Sequence, residues 1–171
     1  MRAKACCVTL FLLSTVITTK AANRYWIGSV LSNFNNILNW SSTSGGLPGA
    51  SVPTAGDAAI FDNGGTGNCN IDAAVNIASL TVNTGYTGTF IQNNNTIAIA
   101  GAASLAAGAF TGGTANITIS GIFTNSGTAF TSTSSILELR ANAAFTGGSK
   151  KRAQFGAPRG CGARPEILHT A

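Results

Sequence analysis

Tyr25, Trp26 and Trp40 are the side chains of this 171-residue sequence best suited to hold a ligand. Aromatic faces suit amphipathic molecules such as sugars, so the three make a candidate stacking platform. The same rings could instead cover the end of a fold, and that is the preferred reading, since a first structural layer needs burial in every case. Asp57, Asp62 and Asp72 could offer carboxylates to Ca²⁺, which gathers several oxygens. They are dispersed along the chain, however, and Gly64-Gly65-Thr66-Gly67-Asn68-Cys69 carries Cys where a calcium-binding nonapeptide has Asp. The aspartates therefore read as turn residues, and no metal or cofactor is expected. Polysaccharide cleavage would need paired acids or a basic residue in a groove. Between Asn23 and Gly148 the only charges are Arg24, Arg140, Asp57, Asp62, Asp72 and Glu138. No catalytic residue is assigned, and the chain is not expected to be an enzyme. Asn39-Trp40-Ser41, Asn94-Asn95-Thr96 and Asn116-Ile117-Thr118 match the glycosylation sequon, as chance matches will in a chain rich in Asn, Ser and Thr.

The elements that would carry these residues are legible in a repeat. Ile97-Ala98-Ile99-Ala100-Gly101 recurs as Ile117-Thr118-Ile119-Ser120-Gly121 and as Leu137-Glu138-Leu139-Arg140-Ala141. Phe90, Phe110 and Phe130 keep the same step. A fixed period of this kind means stacked coils, each unable to bury its apolar side without a neighbour. Within each coil, alternate residues are apolar and the others small or polar, the period of a half-buried strand. Gly, Asn, Thr and Ser clusters such as Asn93-Asn94-Asn95 supply the left-handed turns between strands. The pattern predicts an all-β fold, a right-handed parallel β-helix with rungs of roughly twenty residues, spaced about 4.8 Å apart. Ile97, Ile117 and Leu137 would form one aliphatic stack, Ile99, Ile119 and Leu139 a second, and the three phenylalanines an aromatic one. An antiparallel β-sandwich is the competing fold. Leu80 and Val82 precede Ile97 and Ile99 by a shorter step, so the register is expected to loosen toward the N-terminus.

The two ends differ from this body. Met1-Arg2-Ala3-Lys4 is basic, Ala5 to Ile17 is apolar, and Thr19-Lys20-Ala21 has small residues where a signal peptidase reads. Residues 1–21 are expected to be a secretory signal, cleaved after Ala21 or Ala22, because the apolar run is too short to span a bilayer. Residues 149–171 open with Lys150-Lys151-Arg152, hold the single histidine, His169, and lack the alternation of the body. They are expected to be a disordered basic tail whose removal leaves the fold unchanged. The formal charge of +5 is made at these ends, since the body holds two arginines against four carboxylates. Cys69 and Cys161 remain after signal removal; an oxidising compartment would allow them to pair, but Cys69 reads as a small inward-facing residue.

Residues 22–68 form a Trp-rich opening segment: Arg24-Tyr25-Trp26-Ile27-Gly28, Asn39-Trp40-Ser41, then Val52-Pro53, Gly56-Asp57 and Phe61-Asp62, leading to Ile71-Asp72 and Leu80-Thr81-Val82. In this order the chain resembles secreted bacterial adhesins and autotransporter passengers with β-strand repeats, over roughly Arg24 to Gly148. The resemblance implies a parallel β-helix used as an extracellular or cell-surface stalk for attachment, and it supplies no catalytic residue. The expected function is a non-enzymatic structural or adhesin-like protein. The alternative is a carbohydrate-binding module using Tyr25, Trp26 and Trp40. Expected partners are surface glycans or cell-surface proteins and no nucleic acid, with membrane contact only through the cleaved signal. Residues 69–148 would be the solenoid, and its last rung, left uncovered, would associate edge to edge.

Overall fold

Strands of three or four residues bury little by themselves, so each must find a neighbour one turn of the chain away. The computed structural model describes residues 21–131, 134 and 136–140, with the backbone of 145–146 and 166–169. The N-terminal group comprises β1 (Asn23–Trp26), β2 (Leu31–Asn33) and β3 (Trp40–Ser41), with a 3-10 turn at Ile37–Asn39. Four rungs of three strands follow. They are β4 (Ala58–Phe61), β5 (Asn68–Asn70) and β6 (Val75–Ile77); then β7 (Ser79–Val82), β8 (Thr89–Ile91) and β9 (Ile97–Ile99). Next come β10 (Ala103–Leu105), β11 (Ala109–Thr111) and β12 (Ile117–Ile119); then β13 (Phe123–Asn125), β14 (Ala129–Thr131) and β15 (Ile136–Leu139). After them lie β16 (Phe145–Thr146) and β17 (Glu166–His169).

These strands build three sheets, in the orders β3-β1-β4-β7-β10-β13-β16, β2-β5-β8-β11-β14 and β6-β9-β12-β15-β17. Among the described residues every pairing is parallel except β1 with β3 and β15 with β17. The chain is a parallel β-helix of about four turns, and the parallel ladders exclude the antiparallel sandwich. Ile97, Ile117 and Leu137 stand in register, as do Ile99, Ile119 and Leu139. Phe90, Phe110 and Phe130 stack at centroid distances of 6.4 and 4.7 Å. All six aliphatic side chains are buried, each contributing about 1.5–3 kcal/mol relative to exposure.

The register toward the N-terminus differs from the expectation. Leu80 and Val82 do not underlie Ile97 and Ile99; they belong to the first sheet and pair with Ala103 and Leu105. Val75 and Ile77 sit beneath Ile97 and Ile99. Leu80 and Val82 share a rung with Ile97 and Ile99, and a longer corner stretches the spacing between them toward the repeat step. Six residues, 83–88, join β7 to β8, whereas three, 106–108, join β10 to β11. The extra length carries Tyr86 into the interior, where it is 1% exposed and its hydroxyl donates to the Gly67 carbonyl at 2.9 Å. The short corner above requires glycine: Gly108 has φ +72°, and a Cβ there would lie 2.8 Å from both the Gly88 carbonyl and the Tyr86 ring. The first two rungs are therefore wider and filled by large rings, and the later ones narrower and filled by Ile, Leu and Phe. At the asparagine corner Asn93 and Asn94 take φ of 48° and 60°, the left-handed turn expected there.

The tail departs from its expected disorder at Glu166–His169. These residues run antiparallel along β15, with Ile136 opposite His169 and Leu139 opposite Glu166. They cover the outer edge of the third sheet, whose N–H and C=O groups would otherwise lack partners. Residues 1–20 of the expected signal segment 1–21, and Lys150-Lys151-Arg152, lie outside the described residues. Truncation after Gly148 should therefore lower the melting temperature by several degrees and promote concentration-dependent association, read by thermal unfolding and sedimentation. An unchanged melting temperature with a monomer at all concentrations would show that β17 contributes nothing.

Candidate functional site

The aromatic trio sits where β1 turns back as β3. Alternation along β1 sends Trp26 inward and Tyr25 outward, and the antiparallel register sets Trp26 opposite Trp40 and Tyr25 opposite Ser41. Trp26 and Trp40 have no exposed surface. Their ring centroids are 5.3 Å apart, edge to face. Trp26 stacks on Phe61 at 5.4 Å, and Trp40 meets Phe34 at 4.9 Å and Phe61 at 5.6 Å. Each indole N–H is used: Trp26 Nε1 donates to the Gly67 carbonyl at 3.1 Å and Trp40 Nε1 to the Phe34 carbonyl at 2.7 Å. The loop beyond β3 folds back, with the Gly49 and Ala50 N–H groups donating to the Trp40 carbonyl. A sugar stacks on an open ring face, and neither indole has one, so the platform built on Trp26 and Trp40 does not exist. Tyr25 is half-buried on the outer side of β1, and among the described residues no second ring lies beside it. The expected cap is what these residues form. Phe34 and Tyr86 complete it, and the sequence marked neither, because each lies outside the alternating runs.

The three aspartates are turn and staple residues. Asp62 Oδ1 accepts the Gly64 N–H at 2.8 Å and Asp72 Oδ1 the Asn35 N–H at 2.9 Å. Asp57, 7% exposed, accepts from the Thr54 N–H at 3.0 Å, the Thr54 hydroxyl at 2.7 Å and the Ala22 N–H at 3.1 Å. Burial pushes the Asp57 carboxyl up, but these hydrogen bonds and the Arg24 charge outweigh it and hold the group below its ordinary value. Among the described residues no three His, Cys, Asp or Glu side chains gather into a metal-binding group. Cys69 is fully buried, between Ser32 and Phe90 in the second sheet. Burial first, then the neighbouring Asp72 charge, raises its thiol well above the usual range, which leaves it chemically inert. Cys161 lies outside the described residues.

The interior leaves free space of about 30 Å³, lined by apolar side chains and too small for a sugar ring. A groove of about 270 Å³ runs between the 52–55 loop and β6, lined by Phe34, Val52, Pro53 and Val75 together with the polar residues Asn35, Thr54 and Asn76. It is smaller than typical small-molecule sites of roughly 300–1,000 Å³.

What the fold offers to a partner is its outer surface. Along the first sheet, Thr81, Ser104 and Thr124 succeed one another in register. Beside the second sheet, asparagines form a ladder: Asn70 Nδ2 donates to Asn33 Oδ1 at 2.8 Å, and Asn93 Nδ2 donates to Asn70 Oδ1. The next corner continues with Asn94 Oδ1 accepting the Thr114 N–H at 2.8 Å. On the third sheet Arg140 pairs with Glu138 at 3.1 Å. Around the cap the surface turns apolar, with Val30, Leu31, Leu38 and Leu47 exposed by 60 to 88%. The sequence reading missed these four, which follow no strand or helix period. Comparison with known protein families, with curated protein sequences and with solved structures finds no match.

Proposed function

We propose that the chain is a non-enzymatic, secreted or cell-surface structural protein of adhesin-like, autotransporter-passenger-like character, with the β-helix as a stiff spacer. One observation supports this reading above others. The in-register aliphatic side chains and the two indoles are spent on the core, while the outer face of the first sheet repeats small, uncharged polar side chains, Thr81, Ser104 and Thr124, rung after rung. Such a face suits weak, repeated contacts that sum along its length, as attachment to surface glycans or cell-surface proteins requires. The apolar run and small-residue site at residues 1–21 support export. The carbohydrate-module alternative loses its ligand site with the burial of Trp26 and Trp40.

The test is to express the whole chain in a secreting bacterium, fractionate the cells, and coat beads with the exported protein. Recovery outside the cytoplasm, with coated beads binding glycan-bearing cells above uncoated ones, is the expected result. Retention in the cytoplasm overturns the secreted reading, and export without adhesion overturns the attachment role.

A further inference from the structure

Among the described residues Ala22 is the first tied into the fold. Its carbonyl accepts the Ala58 N–H at 2.9 Å, which starts the β1–β4 ladder. Its own N–H points at the Asp57 carboxylate, 3.1 Å from Oδ1. The second oxygen of that carboxylate is held by the Thr54 N–H and hydroxyl, so the group is fixed in place and nearly buried. Ala21, immediately before, is exposed. A rigid carboxylate aimed at a backbone nitrogen next to an exposed peptide bond is built like a receptor for a positive charge at that nitrogen.

From this geometry we infer that the chain is cut between Ala21 and Ala22, and that the α-ammonium thereby created at Ala22 pairs with Asp57 to lock the first rung. The inference rests on the secretory reading above and decides between its two cleavage points. Cutting after Ala21 leaves small residues, Thr19 and Ala21, at the two positions the peptidase reads; cutting after Ala22 would place Lys20 at one of them. Cutting after Ala22 would also remove both bonds that Ala22 makes to the 57–58 segment. In the hydrolysis, water adds across the Ala21–Ala22 peptide bond. Ala21 departs with a carboxylate, and the Ala22 nitrogen takes up protons to become an ammonium at neutral pH. A hydrogen bond from a neutral amide to the carboxylate becomes an ion pair with both partners charged, which adds Coulombic attraction. Arg24, two residues further along the chain in β1, is the other cation acting on Asp57, and its guanidinium Nε donates to the Ser51 hydroxyl at 2.9 Å. The device makes the folded state most stable only after processing.

Two measurements test it separately. N-terminal sequencing of the exported protein should give Ala22-Asn23-Arg24. A different first residue overturns the inference while leaving export standing, and an uncleaved chain overturns both. The ion pair is tested without any export step, on chain 22–171 released from a cleavable fusion so that it begins at Ala22. Acetylating that nitrogen keeps its N–H but removes its charge. In the unaltered chain acetylation should lower the folded-to-unfolded ratio about fivefold. In Asp57→Asn it should change nothing. An equal effect in both backgrounds, or none in either, overturns the pair. Should Asp57→Asn not fold, titration of the Ala22 ammonium by NMR decides: a pKa above its ordinary value of roughly 7.7–8.0 supports the pair, and an unshifted one overturns it.

Discussion

Ile119→Asp should unfold the repeat region. The side chain is 2% exposed and stacked between Ile99 and Leu139 in register. The substitution removes buried aliphatic contacts, costing about 2–4 kcal/mol, and places an unpaired carboxylate among hydrocarbon, adding several more. Marginal domain stability of roughly 5–15 kcal/mol leaves little after such a loss. The neighbouring outward position supplies the control. Thr118 faces Glu138 across the strands, with its hydroxyl 3.4 Å from Oε2, so Thr118→Lys gains an opposite charge and should move stability by no more than about 0.5 kcal/mol. Denaturant unfolding of the two variants measures both. Equal destabilisation would overturn the alternation of inward and outward faces.

Trp40→Ala should be nearly as damaging, although Trp40 lies in a segment without repeats. Truncating a buried Trp costs about 3–5 kcal/mol, and here it also strands the Phe34 carbonyl that accepts the indole N–H at 2.7 Å. The expected result is a fall in melting temperature of more than about 10 °C, with loss of the aromatic near-UV circular dichroism. Trp40→Phe, which keeps a ring against Phe34 and Phe61, should recover part of the loss. A folded Trp40→Ala protein that had lost only glycan binding would reinstate the ligand platform and overturn the cap.

The two variants also separate what the repeat announced from what it could not. The aliphatic and phenylalanine stacks were legible because strict alternation fixes which residues face inward, and a constant step fixes which of them meet. Leu80 and Val82 show the limit of counting. Their alternation was read correctly, but they lie in the first sheet of the same rung as Ile97 and Ile99, and the added corner residues around Tyr86 stretch that spacing toward the repeat step. Corner length is set by what the interior must hold, and sequence spacing alone does not reveal that. The cap was legible in kind, since large rings with a Pro-bearing loop suit a first rung. Its membership was not, because Phe34 and Tyr86 reach the cluster from irregular segments.

The sequence by itself determined the class of fold, the inward positions of its later rungs, the turn role of Asp57 and Asp62 and the absence of alternation in the tail. These rest on local periodicity and residue type, which act over a few neighbours. Only the tertiary structure decided that both indoles have no open face, that Val75 and Ile77 underlie the isoleucine stacks, and that Asp57 holds the Ala22 nitrogen. It also decided that Glu166–His169 cover the edge of β15. Each of these joins residues far apart in the chain, through a hydrogen bond or a ring contact that exists only once the coils are stacked. β17 shows the reason most plainly: an unpaired sheet edge accepts almost any extended backbone, so the partner is chosen by position in the fold and leaves no mark in its own residues.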